Sequence, residues 1–219
     1  MGERAPETHV VSRANEDAVR LIKDWRTWPS GAMALVGPKG SGKTHLALAW
    51  ALEAGARRIA PGADPDDAAA IFSAAQGRVL IDDADAGADE AMLWRLLDLA
   101  RAQGGALLLT GAAAPVHWPS TIPDLRSRLQ NLAIARLGEP DEALMEVVLR
   151  RVCREQFILL SDSAARYLAR RLPRTFAAAR DWAATLDADL AKAAKPVTLS
   201  VARKALEKAE AQWRAAGDG

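Results

Sequence analysis

Eight consecutive residues near the start of the chain have the types and spacing of a phosphate-binding loop, the pattern G-x-x-x-x-G-K-[ST]. Glycines in such a loop let the backbone turn so that its N–H groups point into one concave site, and the helix that follows adds its positive dipole end. The lysine would reach the terminal phosphates, and the last hydroxyl would hold Mg²⁺. The eight residues are Gly37, Pro38, Lys39, Gly40, Ser41, Gly42, Lys43 and Thr44, called here the phosphate loop.

The segments on either side of the phosphate loop favour this interpretation. The apolar run Ala32–Val36 predicts a buried strand before it, and the alanine-rich run from Thr44 to Ala54 predicts a helix after it. A strand, a loop and a helix in this order are the context in which the motif binds phosphate. The alternative is a glycine-rich turn that matches the pattern by chance, which the two flanking segments disfavour.

Two adjacent carboxylates, Asp82 and Asp83, close a second apolar run that begins at Arg78. A strand of this kind would place Asp82 beside the phosphate loop, where it would bind Mg²⁺ directly or through water. Asp83 would then orient an attacking water molecule. An ordinary exit from a strand into a loop is the alternative, and the phosphate loop upstream makes the metal-binding interpretation of Asp82 the stronger one.

Short apolar runs alternate with helical patterns through the first part of the chain, which predicts an α/β fold with a parallel sheet and helices on both faces. After Pro123 only helices are expected. The division falls near Gly138, so that residues 1–137 form a nucleotide-binding α/β domain and residues 138–219 a small all-helical lid domain. The predicted strands are 32–36, 57–60 (the weakest), 78–83 and 106–110.

The composition limits the classes of function. The chain carries 29 basic and 28 acidic side chains, a formal charge of +1, which argues against a strongly basic surface for nucleic acid. The single cysteine, Cys153, cannot form an internal disulfide and is expected to be a buried thiol, which suits the cytoplasm. No apolar run reaches the roughly 20 residues that span a membrane, so no membrane association is expected.

The histidines and tryptophans do not form a pattern that predicts a catalytic or metal site. His9, His45 and His117 lack the spacing of metal ligands, so no zinc site is predicted. Trp118 lies in a loop and is expected to be exposed for a partner. Core or interface packing is expected for the tryptophans in helical runs, which are Trp25, Trp50, Trp94 and Trp182.

The sequence resembles a known family, the AAA+ ATPase domain of the bacterial replication initiator DnaA. The resemblance covers about Val10 to Leu206, and the initiator's C-terminal DNA-binding domain has no counterpart in the chain. An ATPase domain of this type alone is most similar to the Hda group, which inactivates the initiator by triggering its ATP hydrolysis. The matching segments are Gly42-Lys43-Thr44-His45-Leu46, Leu80-Ile81-Asp82-Asp83, Leu109-Thr110, Leu125-Arg126-Ser127-Arg128-Leu129 and Val197 to Ala202.

The resemblance implies roles for residues outside the phosphate loop. Arg128 matches the arginine finger that acts in trans on a neighbour's ATP, although Arg126 beside it leaves the choice open. Arg174 matches the lid arginine that reaches the bound nucleotide within the same chain. Val10 and Val11 match the segment that packs by the base, and His45, in the matched segment just after the phosphate loop, is a further expected cofactor-binding residue. ADP or ATP with Mg²⁺ is the implied cofactor, DnaA the implied partner, and a homo-oligomer is consistent with the family.

Two features depart from the resemblance. Ala112 occupies the position where the initiator has an acid that senses the phosphate, so weak ATP hydrolysis is expected, with Thr110 as a partial substitute. The N-terminal residues contain no glutamine-led peptide for docking on the sliding clamp, although the clamp stays a candidate partner. The alternatives are a DnaA-like or helicase-loader-like ATPase that acts at DNA in its own right, and, less consistent with the two acids and the lid, a nucleotide kinase.

Overall fold

The computed structural model describes Ser12, residues 15–186 and residues 196–217, with side chains as far as residue 214. The expected base-contacting residues Val10 and Val11 lie outside the described residues. The chain divides into two compact units between Gly138 and Glu139.

A five-stranded parallel sheet forms the centre of the first unit, with the strand order β2-β3-β4-β1-β5. The predicted parallel sheet is therefore confirmed. β2 is shorter than expected, because only two residues pair with β3 before the chain turns away. The strands are β1 (Ala32–Val36), β2 (Arg57–Arg58), β3 (Arg78–Ile81), β4 (Ala106–Gly111) and β5 (Ala133–Arg136).

The fifth strand corrects the expectation that only helices follow Pro123. β5 pairs in parallel with β1, with Ala133 opposite Met33 and Arg136 opposite Val36. It is four residues long and only partly buried, and its short apolar run is half alanine, a residue with weak strand preference. Its position is decided by pairing with a strand far away in the sequence, which local periodicity does not report.

Helices cover both faces of this sheet because residues along each central strand alternate between two buried cores. In β4, Leu107 and Leu109 pack with Phe72 and other residues of one core, whereas Leu108 packs with Trp50 in the other. The sheet is thus buried on both sides, as expected for an all-parallel arrangement. The helices are α1 (Glu16–Lys23), α2 (Lys43–Ala54), α3 (Pro65–Ala74), α4 (Glu90–Gln103) and α5 (Pro123–Gln130).

Helices make up most of the described part of the second unit, and one isolated parallel bridge joins Leu160 to Val197. They enclose a core of their own in which Trp182 and Cys153 are fully buried. Cys153 is the expected buried thiol, and this burial raises the pKa of the thiol to about 12. The helices are α6 (Glu142–Glu155), α7 (Asp162–Arg171), α8 (Phe176–Ala184) and α9 (Leu199–Gly217).

The end of α6 has an unusual backbone. Phe157 has a φ of 59°, in the left-handed region that glycine normally occupies at this position after a helix. Its N–H donates to the carbonyl oxygen of Arg154, and the N–H of Ile158 donates to that of Cys153. The side chain of Phe157 is 82% exposed, whereas Ile158 is buried.

No helix in the described part of the chain is both long and apolar enough to cross a bilayer.

Candidate functional site

The phosphate loop leaves the carboxyl end of β1 between the ends of its two neighbours. The N–H of Gly37 donates to the carbonyl oxygen of Gly111 at the end of β4 (3.3 Å), and the N–H of Leu137, just after β5, donates to that of Val36 (2.8 Å). A Cβ on Gly37 would lie 2.5 Å from the carbonyl oxygen of Leu137 and 2.9 Å from Oγ of Ser41. Glycine suits this point, because a side chain here would collide with the backbone of Leu137 just after β5.

A buried ammonium group and one buried hydroxyl without a partner in the described part of the chain lie in the phosphate loop. The Lys43 side chain is almost buried, and its Nζ donates to the carbonyl oxygens of Gly37 (2.8 Å) and Pro38 (3.1 Å). Oγ of Ser41 is buried and has no hydrogen-bond partner among the described residues. Gly42 has a φ of 92° and precedes the first residue of α2. An ammonium group, a free hydroxyl and a helix start suit a phosphate group.

A second part of the site connects the phosphate loop to β3. Oγ1 of Thr44 donates to Oδ1 of Asp82 at 3.3 Å, so the predicted pair of magnesium ligands is brought together. Oγ1 of Thr110 donates to the same carboxylate oxygen at 2.7 Å. The Asp82 side chain is only 11% exposed. Hydroxyl and carboxylate oxygens are ligands that Mg²⁺ accepts, so these residues fit the metal.

Asp83 lies beside this arrangement and is held through its backbone. It has a φ of 53°, and its N–H donates to Oγ1 of Thr110 at 2.8 Å. Thr110 therefore accepts from one aspartate and donates to the other. The Asp83 side chain is exposed, which leaves its predicted role in orienting water as a prediction.

The edge strand β2 contributes a residue that the sequence analysis did not identify. Nη2 of Arg58 lies 3.8 Å from Oδ2 of Asp82, and Arg58 is itself half exposed. The pairing of β2 with β3, which sets Arg58 opposite Leu80, carries the arginine to the acidic end of β3. The only signal in the sequence was the pair Arg57-Arg58 at the start of the weakest predicted strand, 57–60.

A further acid, Asp85, organises the loop that contains Ala112 and was also missed. Its Oδ2 accepts from the N–H of Ala112 (2.6 Å) and of Ala113 (3.2 Å). The indole N–H of Trp118 donates to the carbonyl oxygen of Ala113 at 2.9 Å, and Trp118 is buried. The expectation that Trp118 is exposed is therefore wrong, because its ring closes this loop from the inside. The third acid in the run Asp82-Asp83-Ala84-Asp85 was the available signal.

No family model matches the chain, and no curated protein sequence matches it. Solved structures do match. Domain III of the Thermotoga maritima replication initiation protein DnaA has a TM-score of 0.70 and 19% sequence identity, over 93% of this chain and 95% of that one. The Thermotoga maritima RuvB Holliday junction branch migration motor has a TM-score of 0.66 and 21% identity, over 88% and 68%.

A third match is a replication initiator DnaA bound to AMPPCP and single-stranded DNA, with a TM-score of 0.59 and 16% identity, over 82% of this chain and 63% of that one. This chain has the AAA+ fold. At these identities the similarity establishes the architecture, and the chain spans less than two thirds of the length of that initiator.

Arg128, the expected arginine finger, is held by neighbours from two helices. Its Nε donates to Oδ2 of Asp124 (2.9 Å) and its Nη1 to Oδ1 of Asp98 (3.1 Å). The guanidinium carbon lies 5.7 Å from the ring centre of Trp94, whose indole N–H donates to Asp124 at 2.6 Å. The hydrogen bonds from Trp94 and Arg128 lower the pKa of the Asp124 carboxyl. These four residues are called the Arg128 cluster.

The remaining predicted residues are more exposed. Arg126 donates through Nη2 to the carbonyl oxygen of Ser120 at 2.6 Å and is otherwise exposed on α5. His45 is partly buried in the first turn of α2, and Pro38 and Lys39 are exposed. Arg174 is exposed between α7 and α8 in the second unit, and its contact with a nucleotide remains a prediction.

Proposed function

We propose that this chain binds ADP or ATP with Mg²⁺ at the phosphate loop. The observation that carries the proposal is the approach of Thr44 to Asp82 at 3.3 Å, which joins the loop to the acidic end of β3. The phosphate loop and the acidic end of β3 come from separate parts of the sequence, and the structure brings them together at Thr44 and Asp82. The match to an initiator bound to AMPPCP supports an adenine nucleotide.

Each residue of the site has a distinct role in this proposal. The N–H groups of Gly40 to Lys43 and the free Ser41 hydroxyl bind phosphate oxygens, and the Lys43 ammonium moves from its own loop carbonyls to the terminal phosphates. Thr44 and Asp82 supply oxygen ligands to Mg²⁺, which neutralises phosphate charge when it is bound. Asp83 positions a water molecule.

The chain's own hydrolysis is proposed to be weak. Ala112 offers no side-chain group to a phosphate, and its N–H is directed to Asp85. Thr110 supplies a hydroxyl nearby, but that hydroxyl already donates to Asp82. A nucleotide would therefore be held more readily than it is turned over.

The regulatory part of the proposal rests on the resemblance in the Leu125–Leu129 segment. We infer that the chain stimulates ATP hydrolysis by the initiator DnaA, with Arg128 acting in trans as an arginine finger. A guanidinium suits this role because it neutralises the charge on a phosphoryl group in the transition state, which is worth about 10³–10⁵ in rate in GTPases. The sliding clamp remains a candidate third component, and self-association a candidate state.

An ATPase that acts at DNA in its own right is the second candidate. The structural matches to an initiator on single-stranded DNA and to a branch migration motor favour it. The near-neutral charge of the chain speaks against it, since binding to the phosphate backbone depends on basic side chains.

Nucleotide binding is tested by thermal unfolding with Mg·ADP, Mg·ATP or neither. A ligand that binds only the folded state at about 100 times its Kd stabilises by about 2.7 kcal/mol, so the unfolding temperature should rise. Lys43→Ala should abolish the rise, whereas Lys23→Ala, which changes an exposed lysine on α1, should retain it. Equal rises in both variants would contradict the site.

Regulation is tested by adding the chain to ATP-loaded DnaA, with and without clamp on DNA, and following phosphate release. Faster phosphate release that is lost in the variant Arg128→Ala and kept in the variant Arg95→Ala would support Arg128 as the arginine finger. If only the variant Arg126→Ala lost the acceleration, Arg126 would be the arginine finger instead. No acceleration together with DNA-dependent hydrolysis by the chain itself would favour the second candidate.

A further inference from the structure

The Arg128 cluster leaves little of the guanidinium available to another molecule. The Arg128 side chain is 20% exposed, while Asp98 and Asp124 are 51% and 56% exposed. Two of its nitrogens donate to carboxylates on different helices, and one ring face of Trp94 lies near its charge. Asp98 reaches Arg128 from α4, and Asp124 lies one turn earlier on α5 itself.

A finger that acts in trans needs its donors directed away from its own chain, because a planar guanidinium binds a phosphate through the same N–H groups that it gives to a carboxylate. In the Arg128 cluster Nε and Nη1 already donate to carboxylates of the same chain, so these two groups cannot at the same time make a bidentate contact with a phosphate. Release from Asp98, which lies on the other helix, would free Nη1 for a nucleotide outside the chain.

We propose that Asp98 and Asp124 restrain Arg128 within its own chain, and that the partner which releases it presents a nucleotide phosphate to Arg128 and a basic side chain to the two acids. The proposal rests on the proposed function of Arg128 and adds its regulation. Charge complementarity defines the partner, since release of Arg128 leaves two half-exposed carboxylates close together, which a lysine or arginine of the partner neutralises.

The strength of the restraint fits a reversible device. Partly exposed ion pairs contribute little, so removal of one pair should change an equilibrium by about two- to fivefold. Arg101 also acts on Asp124, since its charge helps to lower the pKa of that carboxyl, and Trp94 donates to it as well. Asp98 is therefore the cleaner residue to change.

The variant Asp98→Asn removes one charge from the cluster and keeps the size of the side chain. Asp66→Asn is a matched control. Asp66 is an exposed aspartate on α3, and it pairs at 3.1 Å with Arg95 of α4, the helix that also carries Asp98. The first measurement is the rate at which phenylglyoxal modifies Arg128 in the isolated protein, followed by peptide mass mapping. The second is the concentration that gives half-maximal stimulation of ATP hydrolysis by the initiator.

Asp98→Asn should speed modification of Arg128 and lower the half-maximal concentration, each by about two- to fivefold, while Asp66→Asn changes neither. Equal modification rates in the two variants would overturn the restraint. Faster modification without a change in stimulation would overturn its regulatory role. A parent chain that does not stimulate ATP hydrolysis by the initiator would contradict the proposed function, and with it the regulatory role of Asp98. The modification rates of Arg128 decide separately whether Asp98 holds Arg128.

The basic side chain of the partner is tested by charge reversal at low salt. Asp98→Lys also releases Arg128, but it puts a positive charge where the partner's basic group should dock. Phenylglyoxal should therefore modify Arg128 as fast in Asp98→Lys as in Asp98→Asn. At low salt, however, Asp98→Lys should need a higher concentration than Asp98→Asn for half-maximal stimulation of ATP hydrolysis by the initiator. Equal concentrations for these two variants would contradict a basic group on the partner.

Discussion

The hydroxyl of Thr110 donates to the carboxylate of Asp82 at 2.7 Å and accepts the N–H of Asp83 at 2.8 Å. Thr110 is fully buried at the end of β4, so one hydroxyl fixes the position of both acids that follow β3. The orientation of the candidate magnesium ligand is therefore set by a neighbouring strand and not by the acidic pair alone.

Thr110→Val is expected to lower the free energy of unfolding by about 1–3 kcal/mol, because it leaves the N–H of Asp83 without its acceptor and Asp82 without its donor. Urea denaturation measures the effect, and the Mg²⁺ dependence of nucleotide binding should weaken in parallel. Thr110→Ser keeps the hydroxyl and should restore most of both. A valine variant as stable as the parent would contradict the bridge.

Gly37→Ala should destabilise the first unit by about 1–3 kcal/mol, the usual cost of forcing an extra methyl group into a packed site. The added Cβ would lie 2.5 Å from the backbone oxygen of Leu137, which belongs to the chain just after β5 and cannot swing aside. Gly62→Ala is the control, because nothing lies within 4 Å of its added Cβ. Denaturation midpoints compare the two, and equal midpoints would refute the close approach.

Glu90 should make the first unit sensitive to acid. Its carboxylate accepts hydrogen bonds from the backbone N–H groups of Thr121 and Ile122 and from the hydroxyls of Ser120 and Thr121. The bond from the Thr121 backbone is the main cause that holds the pKa of Glu90 below its ordinary value, against some desolvation.

Because the folded pKa is lowered, the stabilisation by Glu90 is present above the ordinary Glu pKa of about 4.3 and is lost as the pH falls through the lower folded value. Glu90→Gln should therefore flatten the loss of stability below about pH 5. Urea titrations at several pH values measure this, with Glu53→Gln, an exposed change on α2, as control. An acid limb as steep in Glu90→Gln as in the parent would argue against the assignment.

Phe157→Gly should raise the free energy of unfolding by about 0.5–1 kcal/mol, because glycine adopts the positive φ without strain and this gain exceeds its entropic cost. Little burial is lost, since the ring is 82% exposed. Phe157→Ala keeps a Cβ at the same backbone angle and should gain nothing. Chemical denaturation of the three proteins tests this, and a glycine variant less stable than the parent would contradict it.

Local patterns in the sequence predicted the parts of the fold whose cause is local. The apolar runs of β1 and β4 and the glycines of the phosphate loop report their structure directly, because burial and backbone turns depend on neighbouring residues. The pairing of Thr44 with Asp82 was also predicted, since the motif and the acidic strand end each have a known place in a parallel sheet.

Features that depend on distant residues were missed or misjudged. β5 exists because β1 offers it a partner, and its own residues carry only a weak strand signal. Trp118 is buried because it packs in a hydrophobic core of the first unit, where its indole also donates to Ala113, and a loop-like sequence does not reveal this packing. Arg58 and Asp85 reach the site through strand pairing and a turn. Their contacts join side chains from segments that are distant in the sequence, so no local sequence pattern predicts them.

The position of Gly37 between Gly111 and Leu137 has a consequence for how the protein is made. A ribosome releases β1 and the phosphate loop long before it has translated β4 and β5, which brace the start of that loop on either side. Domains generally fold as units during synthesis, and the start of the phosphate loop contacts Gly111 and Leu137, so we expect the nascent loop to take its final shape only after translation has passed Leu137. Maturation of the site is thus tied to completion of the first unit, and an interrupted synthesis product would carry the motif without the geometry.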